Sequence, residues 1–348
     1  MSHETLLNHD SYWMQPLTEI PIILSTRVRL ARNLANSPFP HVMSPEIGKN
    51  VEKKISEVLR SIEVDQGKLN YLPLCDLSTI ETRVLIEKHL ISPNFAECNP
   101  TRGVALTDDH RVSVMVNEED HLRIQVLLPG SDLEKALRIA GDIDDKLEQN
   151  IDIAYKENFG YLTSCPTNVG TGLRVSVMMH LPALVINGEI QQVIGALTHV
   201  GLAVRGMFGE GSRAIGNVFQ ISNQVTLGKS EEDTLTHLKA VSGQIVEREM
   251  QARKILESEA LLNLEDKVWR ARGILKNARL LTSEETISLL SQDRIGIDMG
   301  IVPEIKAGFA ALLVNSLHGC LQYRINKPLD VDGANFERAR FIRELFEL

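Results

Sequence analysis

Hydrophobic and polar residues alternate between residues 103 and 130 in the manner of β-strands. The stretch GVALTDDHRVSVMVNEEDHLRIQVLLPG contains three runs in which apolar side chains recur at every second position. A period of two places successive side chains on opposite faces of a strand, and Asp108-Asp109 and Pro129-Gly130 are typical turn sequences. The pattern therefore predicts an antiparallel β-meander.

Other segments have the three-to-four spacing of amphipathic helices. Residues 44–62, SPEIGKNVEKKISEVLRSI, show this spacing after a Ser-Pro start. Residues 80–92 have a similar pattern, which Pro93 would stop. Ser131 with Glu134 is predicted to form a capping box for a third helix.

The character of the chain changes after residue 230. Ser230 and Asp233 are predicted to start a long helix, and the segments that follow have helical spacing with few strand signals. A chain of 348 residues is long enough for two domains. We therefore predict an α+β fold whose sheet-bearing domain spans residues 20–255, followed by a C-terminal helical domain over residues 256–348.

Composition argues against several classes of protein. A net charge of −9 argues against general binding to nucleic acid or to an anionic membrane surface. No apolar run approaches the ~18–20 residues needed to cross a bilayer, and the N-terminus lacks a signal-peptide pattern. The cysteines Cys75, Cys98, Cys165 and Cys320 form no CxxC or Cys/His pattern, which predicts free thiols in a reducing cytoplasm.

Familiar phosphate-binding motifs are absent from the sequence. NQVTLGKS ends like a P-loop, but Asn223 occupies the position of its first glycine. GTGLRV fails the dinucleotide-binding pattern, because Val175 stands where the third glycine belongs. The HRD, DFG and HExxH motifs are absent as well. A phosphate ligand would therefore need side chains rather than a glycine-rich loop.

Several arginines lie on or beside the apolar strands. In STRVRLARN, Arg27 and Arg29 are two residues apart and are predicted to share one strand face. Arg123 follows the acidic run NEED, Arg174 begins the strand GLRVSVMM, and Arg205 ends the strand LAVRG. These arginines could form salt bridges at sheet edges. The interpretation that we favour is a polyphosphate site accompanied by Mg²⁺, because guanidinium groups bind phosphate oxygens bidentately.

Glutamates beside such a site need a cationic partner, since a polyphosphate repels them. A guanidinium is the best planar match to a carboxylate. Its pKa lies above ~12, so it becomes a nucleophile only when a proton is removed. Glu119 is therefore the predicted base and Glu210 a second clamp on the guanidinium, while the arginines would stabilise the transferred phosphoryl group.

The run NEEDHLR carries this charge into an apparent strand. Strand alternation predicts that Glu119, His121 and Arg123 share the face of the site. It predicts that Glu118 and Asp120 point away from the site, as structural or solvent-facing acids.

Cys165 and His89 complete the set of residues that the sequence suggests. Cys165 lies in the polar loop that leads to Arg174, where cationic neighbours would favour its thiolate form, and a thiolate would help to orient a guanidinium. The alternative is a small buried side chain, the commoner fate of a free cysteine. His89 is a weaker candidate that could flank the nucleotide.

Four ordered motifs resemble those of the phosphagen (guanidino) kinases, or ATP:guanido phosphotransferases: STRVRLARN, NEEDHLRIQ, LTSCPTNVGTGLRVSV and RGMFGEGS followed by FQISNQ. The resemblance implies an antiparallel β-sheet flanked by helices, like that of glutamine synthetase, with ATP and Mg²⁺ in the reaction. It implies that Glu119 and Glu210 hold and deprotonate the guanidinium, with Cys165 beside it. The nucleotide-binding positions that it implies are Ser25, Thr26, Arg27, Val28, Arg29, His89, Arg123, Arg174, Val175, Ser176, Val177, Met178, Arg205, Gly206, Met207, Phe208, Gly209 and Glu210.

The position of the helical region narrows the resemblance. Phosphagen kinases have a helical domain ahead of the STRVR strand, whereas only 24 residues precede that strand here and a helical region follows residue 255. This arrangement, with EKHLISP and TSCPTNVGTGLR, resembles the bacterial protein-arginine kinases. That resemblance implies an arginine side chain within a protein as the phosphoryl acceptor. A kinase of free arginine or another small guanidine, or a non-catalytic adaptor that binds phosphoarginine, are the alternatives.

The same resemblance implies cellular partners. Phosphoarginine would mark proteins for a Clp-type protease and relieve a heat-shock repressor, in stress response and protein quality control in the cytoplasm. A zinc-containing activator protein is an implied partner, and the helical part is expected to form a homo-oligomer. Bacterial relatives usually carry RDxxRA, a pocket for phosphoarginine, where this chain has ANFERA at residues 334–339. Ala334 and Asn335 replace the Arg and Asp, which predicts a weakened or absent pocket.

Overall fold

The computed structural model describes residues 6–15, 22–65, 67–207 and 214–347, and its main elements there are twelve strands and eleven α-helices, joined by loops and short 3-10 helices. The strands are β1 (Ile23–Arg32), β2 (Glu63–Val64), β3 (Gly67–Lys68), β4 (Asn70–Pro73), β5 (Gly103–Leu106), β6 (Val112–Val116), β7 (Leu122–Pro129), β8 (Tyr155–Lys156), β9 (Gly160–Tyr161), β10 (Leu173–His180), β11 (Leu202–Gly206) and β12 (Val218–Asn223). The helices are α1 (Pro45–Ser61), α2 (Thr79–Glu87), α3 (Leu133–Glu148), α4 (Pro182–Ile186), α5 (Ile190–His199), α6 (Glu231–Glu259), α7 (Leu261–Asn277), α8 (Ser283–Asp298), α9 (Phe309–Asn315), α10 (His318–Ile325) and α11 (Val331–Glu347).

Eight of these strands form one sheet, in the order β11-β12-β10-β1-β7-β6-β5-β4. The predicted meander is confirmed: β5 pairs antiparallel with β6, and β6 pairs antiparallel with β7, so that Val114 lies between Ala105 and Ile124. All described elements from Glu231 onward are helices. The predicted α+β class, with an antiparallel sheet, flanking helices and a C-terminal helical region, is confirmed. The division at residue 255 stays a prediction.

Capping residues start the helices at positions that the sequence largely predicts. Ser44 caps α1 by accepting a hydrogen bond from the Ile47 N–H at 3.4 Å, and Ser78 forms a capping box with Glu81 at the start of α2. The prediction for α3 is wrong by one residue. Its cap is Asp132, which accepts from the Lys135 N–H, because the carboxylate competes with Ser131 for the same role.

The chain divides into two compact units. The first unit contains the described residues of 1–13, 26–176 and 222–239. In it, α1 buries one face against β4 and β5, and α3 packs on β7. These helices hold the sheet strands that carry most of the predicted site residues.

The second unit contains the described residues of 14–25, 177–221 and 240–348. Its helices α7 and α8 pack together, and α11 packs on α7. Charged side chains of this unit are buried in pairs, such as Arg272 of α7 with Asp293 of α8, and Arg253 with Glu249 on α6. Since each of these four charged side chains has an opposite partner, these contacts are structural.

Two cysteines differ from the prediction of free thiols. Cys75 and Cys98 form a disulfide with a Cα–Cα distance of 4.9 Å, whereas Cys165 and Cys320 are free. The two cysteines are 23 positions apart in the sequence, and the segment between them includes α2, which folds back and brings the segments on either side of it together. Spacing along the sequence gives no sign of this approach.

The N-terminal segment is part of the first unit's core. Leu6, Leu7 and Trp13 are each at most 2% exposed, and the Trp13 indole N–H donates to the Lys88 carbonyl at 3.1 Å.

Among the helices of the described residues, none is long and apolar enough to cross a membrane.

Candidate active site

Strand β1 presents two arginines on one face, as the alternation predicts. Val28 and Leu30 are fully buried, whereas Arg27 and Arg29 are only partly buried. The Arg29 Nε is nevertheless inaccessible and has no hydrogen-bond partner among the described residues. A buried donor in this condition favours an external acceptor.

Four arginines of the first unit lie within electrostatic range of one another. Burial lowers the pKa of Arg29 well below its usual value, and the charges of Arg27, Arg123 and Arg174 lower it further. Glu118 opposes this effect. We call these four residues the arginine cluster. Four guanidinium groups within electrostatic range of one another create a site for an anion with several negative charges.

The acidic run NEED lies in a turn between β6 and β7. Residues 117–121, which we call the acidic turn, are closed by a hydrogen bond from the Asn117 N–H to the His121 carbonyl at 2.9 Å. Asn117 has a φ of +58°, which ends the strand geometry. The prediction that Glu119 and Arg123 share a strand face with His121 is therefore wrong.

His121 has a structural role instead. Its ring is fully buried, its Nδ1 accepts from the Leu34 N–H at 3.1 Å, and its Nε2 lies 3.1 Å from the Pro38 carbonyl. Burial lowers the pKa of His121 to about 4, so the ring is neutral at physiological pH.

Glu118 is the direct partner of the arginine cluster, which the sequence reasoning missed. Its Oε2 lies 2.5 Å from Arg123 Nη1 and accepts from the Glu119 N–H, and its Oε1 accepts from the Ser92 hydroxyl at 2.6 Å. Burial raises the pKa of Glu118, but Arg123 and these hydrogen bonds outweigh burial and hold it below its usual range. Glu118 is therefore a fixed anion that orients Arg123.

Glu119 differs from Glu118 in exposure and in the direction of its pKa shift. Its side chain is exposed, and partial desolvation, followed by the charges of Asp120 and Glu118, raises its pKa. Arg123 and Arg174 oppose this shift, which places Glu119 within electrostatic range of the arginine cluster. A carboxylate with a raised pKa beside an anion site is suited to accept a proton.

A cavity of about 360 Å³ opens beside Glu119. It is lined by Glu118, Glu119 and Ser164 together with Pro40, His41, Met43, Asn99, Thr101, Arg102 and Asn117. Its volume falls within the range of about 300–1,000 Å³ that is usual for ligand sites. The predicted base therefore faces a space that could receive a second substrate.

Cys165 begins a short helical turn in the loop that leads to β10. The thiol is partly buried, and its Sγ lies 3.0 Å from the Thr167 hydroxyl. The loop is fastened to β1 at Gly172, whose carbonyl accepts from the Ala31 N–H at 3.0 Å. Gly172 has a φ of +64°, and a Cβ there would meet the Ala31 carbonyl at 2.6 Å, so the loop requires glycine at this point.

His89 lies beside the arginine cluster. It has a φ of +60° and is 8% exposed, and its ring centroid lies 5.4 Å from that of Trp13. Burial, followed by the charge of Arg27, lowers the pKa of His89 to about 3. His89 is thus a neutral group next to the predicted nucleotide site.

The other predicted positions are strand neighbours of these residues. Thr26 is fully buried and its hydroxyl donates to the Gly130 carbonyl at 2.7 Å, which makes it a brace for β1. Buried positions that flank the predicted arginines on β1 and β10 are Ser25, Val28, Val175, Ser176, Val177 and Met178. Arg205 and Gly206 end β11 in the second unit and Met207 follows the strand, whereas Phe208, Gly209 and Glu210 lie outside the described residues.

Arg338 makes internal contacts in the second unit. It is 2% exposed, and its guanidinium donates to the carbonyls of Ser316 and Leu281 and to Asn335 Oδ1. Asn335, in the ANFERA stretch, is therefore an acceptor for Arg338. This guanidinium braces α11 against its neighbours.

The fold and the site define an ATP:guanido phosphotransferase. The family model described as ATP:guanido phosphotransferase, C-terminal catalytic domain, matches residues 50–252, and the model of the protein-arginine kinase McsB C-terminal domain matches residues 261–348. The chain belongs to the protein-arginine kinase family.

Named relatives agree with this assignment, and solved structures of guanidino kinases share the fold. The protein-arginine kinase of Desulforamulus reducens is 49% identical over 89% of this chain and 88% of its own length, and that of Bacillus subtilis is 45% identical over 97% and 94%. Lombricine kinase has a TM-score of 0.59 at 25% identity, covering 70% of this chain and 69% of that chain. Taurocyamine kinase from Schistosoma mansoni, at 22% identity and a TM-score of 0.61 over 78% of this chain and 42% of that chain, shares the fold.

Proposed function

We propose that this enzyme transfers the γ-phosphoryl group of ATP to the guanidinium of arginine side chains in proteins. The observation that carries the proposal is the arginine cluster with Glu119 and an open cavity beside it. The cluster supplies the charge that a polyphosphate needs, and the cavity supplies a place for a guanidinium next to a carboxylate. The names of the relatives support arginine in a protein as the acceptor.

The arginine cluster would bind the phosphate chain and stabilise charge on the transferred group. Arg29 contributes a buried Nε donor, and Glu118 fixes Arg123 through a contact of 2.5 Å. A site fixed in this way needs little reorganisation during transfer, which is the main source of catalysis in phosphoryl transfer. Mg²⁺ would enter on the nucleotide phosphates, which are its usual ligands in kinases, and neutralise part of their charge.

Glu119 would remove the proton that makes the acceptor nitrogen a nucleophile. A nitrogen of the guanidinium forms the new bond to phosphorus, the bond from phosphorus to the ADP oxygen breaks, and the proton goes to the Glu119 carboxylate. The raised pKa of Glu119, caused by desolvation and by the charges of Asp120 and Glu118, favours this acceptance. Cys165 would orient the guanidinium, and Glu210, which lies outside the described residues, would be its second carboxylate contact.

The experiment is a comparison of acceptors at neutral pH. The purified chain is incubated with Mg²⁺ and labelled ATP, with free arginine in one reaction and an arginine-containing protein such as casein in another, and acid-labile phosphate is counted. We expect label in the protein, and Glu119→Gln should lower the rate by about 10²–10⁴-fold. Glu57→Gln, an exposed glutamate on α1, is the matched control. Label on free arginine alone would overturn the protein acceptor, and an unchanged rate in Glu119→Gln would overturn the base.

We further propose a role in stress response and protein quality control in the cytoplasm. The support is family membership, and the partners that it suggests are a heat-shock repressor, targets of a Clp-type protease and a zinc-containing activator protein. Homo-oligomer formation through the helical part belongs to the same proposal. Deletion of the gene should remove phosphoarginine from cell extracts after heat shock, and unchanged phosphoarginine would contradict this role.

A further inference from the structure

Asn33 joins the strand of the arginine cluster to the acidic turn. It directly follows β1 and is fully buried. Its Oδ1 accepts from the His121 N–H at 2.9 Å, and its Nδ2 donates to Asp120 Oδ1 at 2.6 Å and to the Leu162 carbonyl at 3.0 Å. Every polar atom of this side chain is thus used to connect separate segments.

Asp120 extends this connection to the cysteine loop. Its carboxylate is 3% exposed, and the oxygen that accepts from Asn33 also accepts from the Ser164 N–H at 2.6 Å. Ser164 precedes Cys165, and Asp120 follows Glu119. The Asp120 Oδ1 therefore connects the chain next to Glu119 with the chain next to Cys165, the two residues proposed to contact the guanidinium.

We infer that Asn33 and Asp120 are positioning residues for phosphoryl transfer, because they hold the turn of Glu119 and the loop of Cys165 against the strand that carries Arg27 and Arg29. The inference rests on the roles proposed above for Glu119 and Cys165. A misplacement of about 1 Å in such a site can lower the rate by about 10²-fold. Neither residue is exposed, so both act through their neighbours rather than on substrate.

Charge and hydrogen bonding at residue 120 can be separated. Asn at this position keeps a carbonyl oxygen for Asn33 and Ser164, whereas Ala removes it. Asn also removes a negative neighbour of Glu119, whose pKa desolvation raises first, with Asp120 and Glu118 raising it further against Arg123 and Arg174. Asp120→Asn should therefore move the acidic limb of the pH–rate profile to lower pH while the positioning contacts remain.

The test compares Asp120→Ala, Asn33→Ala and Asp120→Asn by kcat, by the KM for ATP and by the alkylation rate of Cys165 with iodoacetamide in the absence of substrates. We expect the alanine variants to lose about 10²-fold in kcat, with a smaller change in KM, and to alkylate faster because the loop is released. Asp120→Asn should keep most of its kcat and show the pH shift. Thr107→Ala is the matched control: it removes a buried hydroxyl that braces the turn at the opposite end of β6, and it should match wild type in all three.

Wild-type kcat and wild-type alkylation in Asp120→Ala would overturn the inference, as would equal damage in Asp120→Asn and Asp120→Ala without a pH shift. Cys165 alkylation needs no kinase activity, so its rate tests whether Asn33 and Asp120 hold the loop in place, independently of the proposed function. An inactive wild-type enzyme would instead overturn the proposed function.

Discussion

The two adjacent glutamates of the acidic turn should respond in opposite ways to the same substitution. Glu118→Gln removes the negative charge of a side chain that is 8% exposed. Its Oε2 lies 2.5 Å from Nη1 of Arg123, whose side chain is 19% exposed. Gln keeps an oxygen for Arg123 and the Glu119 N–H, and its amide group can donate to the Ser92 hydroxyl. The substitution therefore changes charge with little change of shape.

The magnitude follows from the contacts that lose their charge. Hydrogen bonds to a charged group contribute about 1.5–3 kcal/mol and neutral ones about 0.5–1.5 kcal/mol. The Arg123 contact and the Ser92 contact both weaken, which suggests a loss of about 2 kcal/mol, or a factor of about 30 in the ratio of folded to unfolded protein. The partial exposure of Arg123 keeps the loss below the ~3–5 kcal/mol of a fully buried pair.

The pKa shifts of the two glutamates predict how each contributes to the free energy of unfolding as pH changes. Arg123 and the hydrogen bonds lower the pKa of Glu118 against the effect of burial, so its contribution is present above the unfolded pKa of about 4.3 and is lost as pH falls through the lower folded pKa. Desolvation and neighbouring acids raise the pKa of Glu119, so ionised Glu119 disfavours the fold at neutral pH, and Glu119→Gln should be as stable as wild type or more stable.

Urea unfolding of wild type, Glu118→Gln and Glu119→Gln at pH 7 and pH 3.5 measures both effects. We expect Glu118→Gln to unfold at lower urea at pH 7 and to approach wild type at pH 3.5. Equal midpoints for wild type and Glu118→Gln at pH 7, or a Glu119→Gln protein that is the less stable of the two variants, would refute the assignment of roles in the turn.

Three further predictions concern the rest of the first unit. Arg29→Lys should weaken ATP binding about 10-fold in calorimetry, because an ammonium cannot replace a bidentate guanidinium. Arg138→Lys, on the exposed face of α3, is the control and should bind ATP like wild type. Equal affinities of Arg29→Lys and wild type would contradict the polyphosphate site. Burial lowers the pKa of His89 to about 3, so the stability of the wild-type protein should fall as pH drops below about 6.5. In urea unfolding, His89→Gln should lose less stability than wild type between pH 7 and pH 4.5. Equal losses would contradict a buried neutral ring. Thiol titration of the unreduced, denatured chain should find two free thiols, because Cys75 and Cys98 are paired, and four would contradict the disulfide.

The sequence predicts the sheet well because its strands have strong local patterns. The meander over β5 to β7 follows from alternation and turn residues, and α1 follows from its spacing and its Ser44 cap. These features depend on neighbours along the chain, so one sequence is enough to predict them.

The acidic turn shows where the local pattern misleads. Strand alternation extended back from Leu122 and Ile124 into residues 117–121 would keep Glu119 and Arg123 on one face, but Asn117 adopts a left-handed conformation and breaks the strand. Glu118 then lies beside Arg123, and Asp120 turns inward to Asn33. A hairpin alignment of β6 with β7 could have placed Glu118 near Arg123, whereas nothing local indicates the contact of Asp120 with a residue 87 positions away.

The convergence of the arginine cluster is a tertiary property. Arg27, Arg123 and Arg174 lie on three different strands, and the sheet order β10-β1-β7 makes these strands neighbours. Sequence patterns predicted each strand, and charge chemistry predicted a shared ligand. The order of the strands, and the disulfide between Cys75 and Cys98, depend on packing that spacing does not encode.

The most direct test of the central claim is mass spectrometry of an acceptor protein after reaction at neutral pH, under conditions that preserve the P–N bond. The wild-type chain with ATP should add a phosphoryl mass to arginine residues of the acceptor, and Glu119→Gln should add almost none. Phosphorylation confined to serine, threonine or tyrosine, or equal arginine phosphorylation by both proteins, would contradict the account.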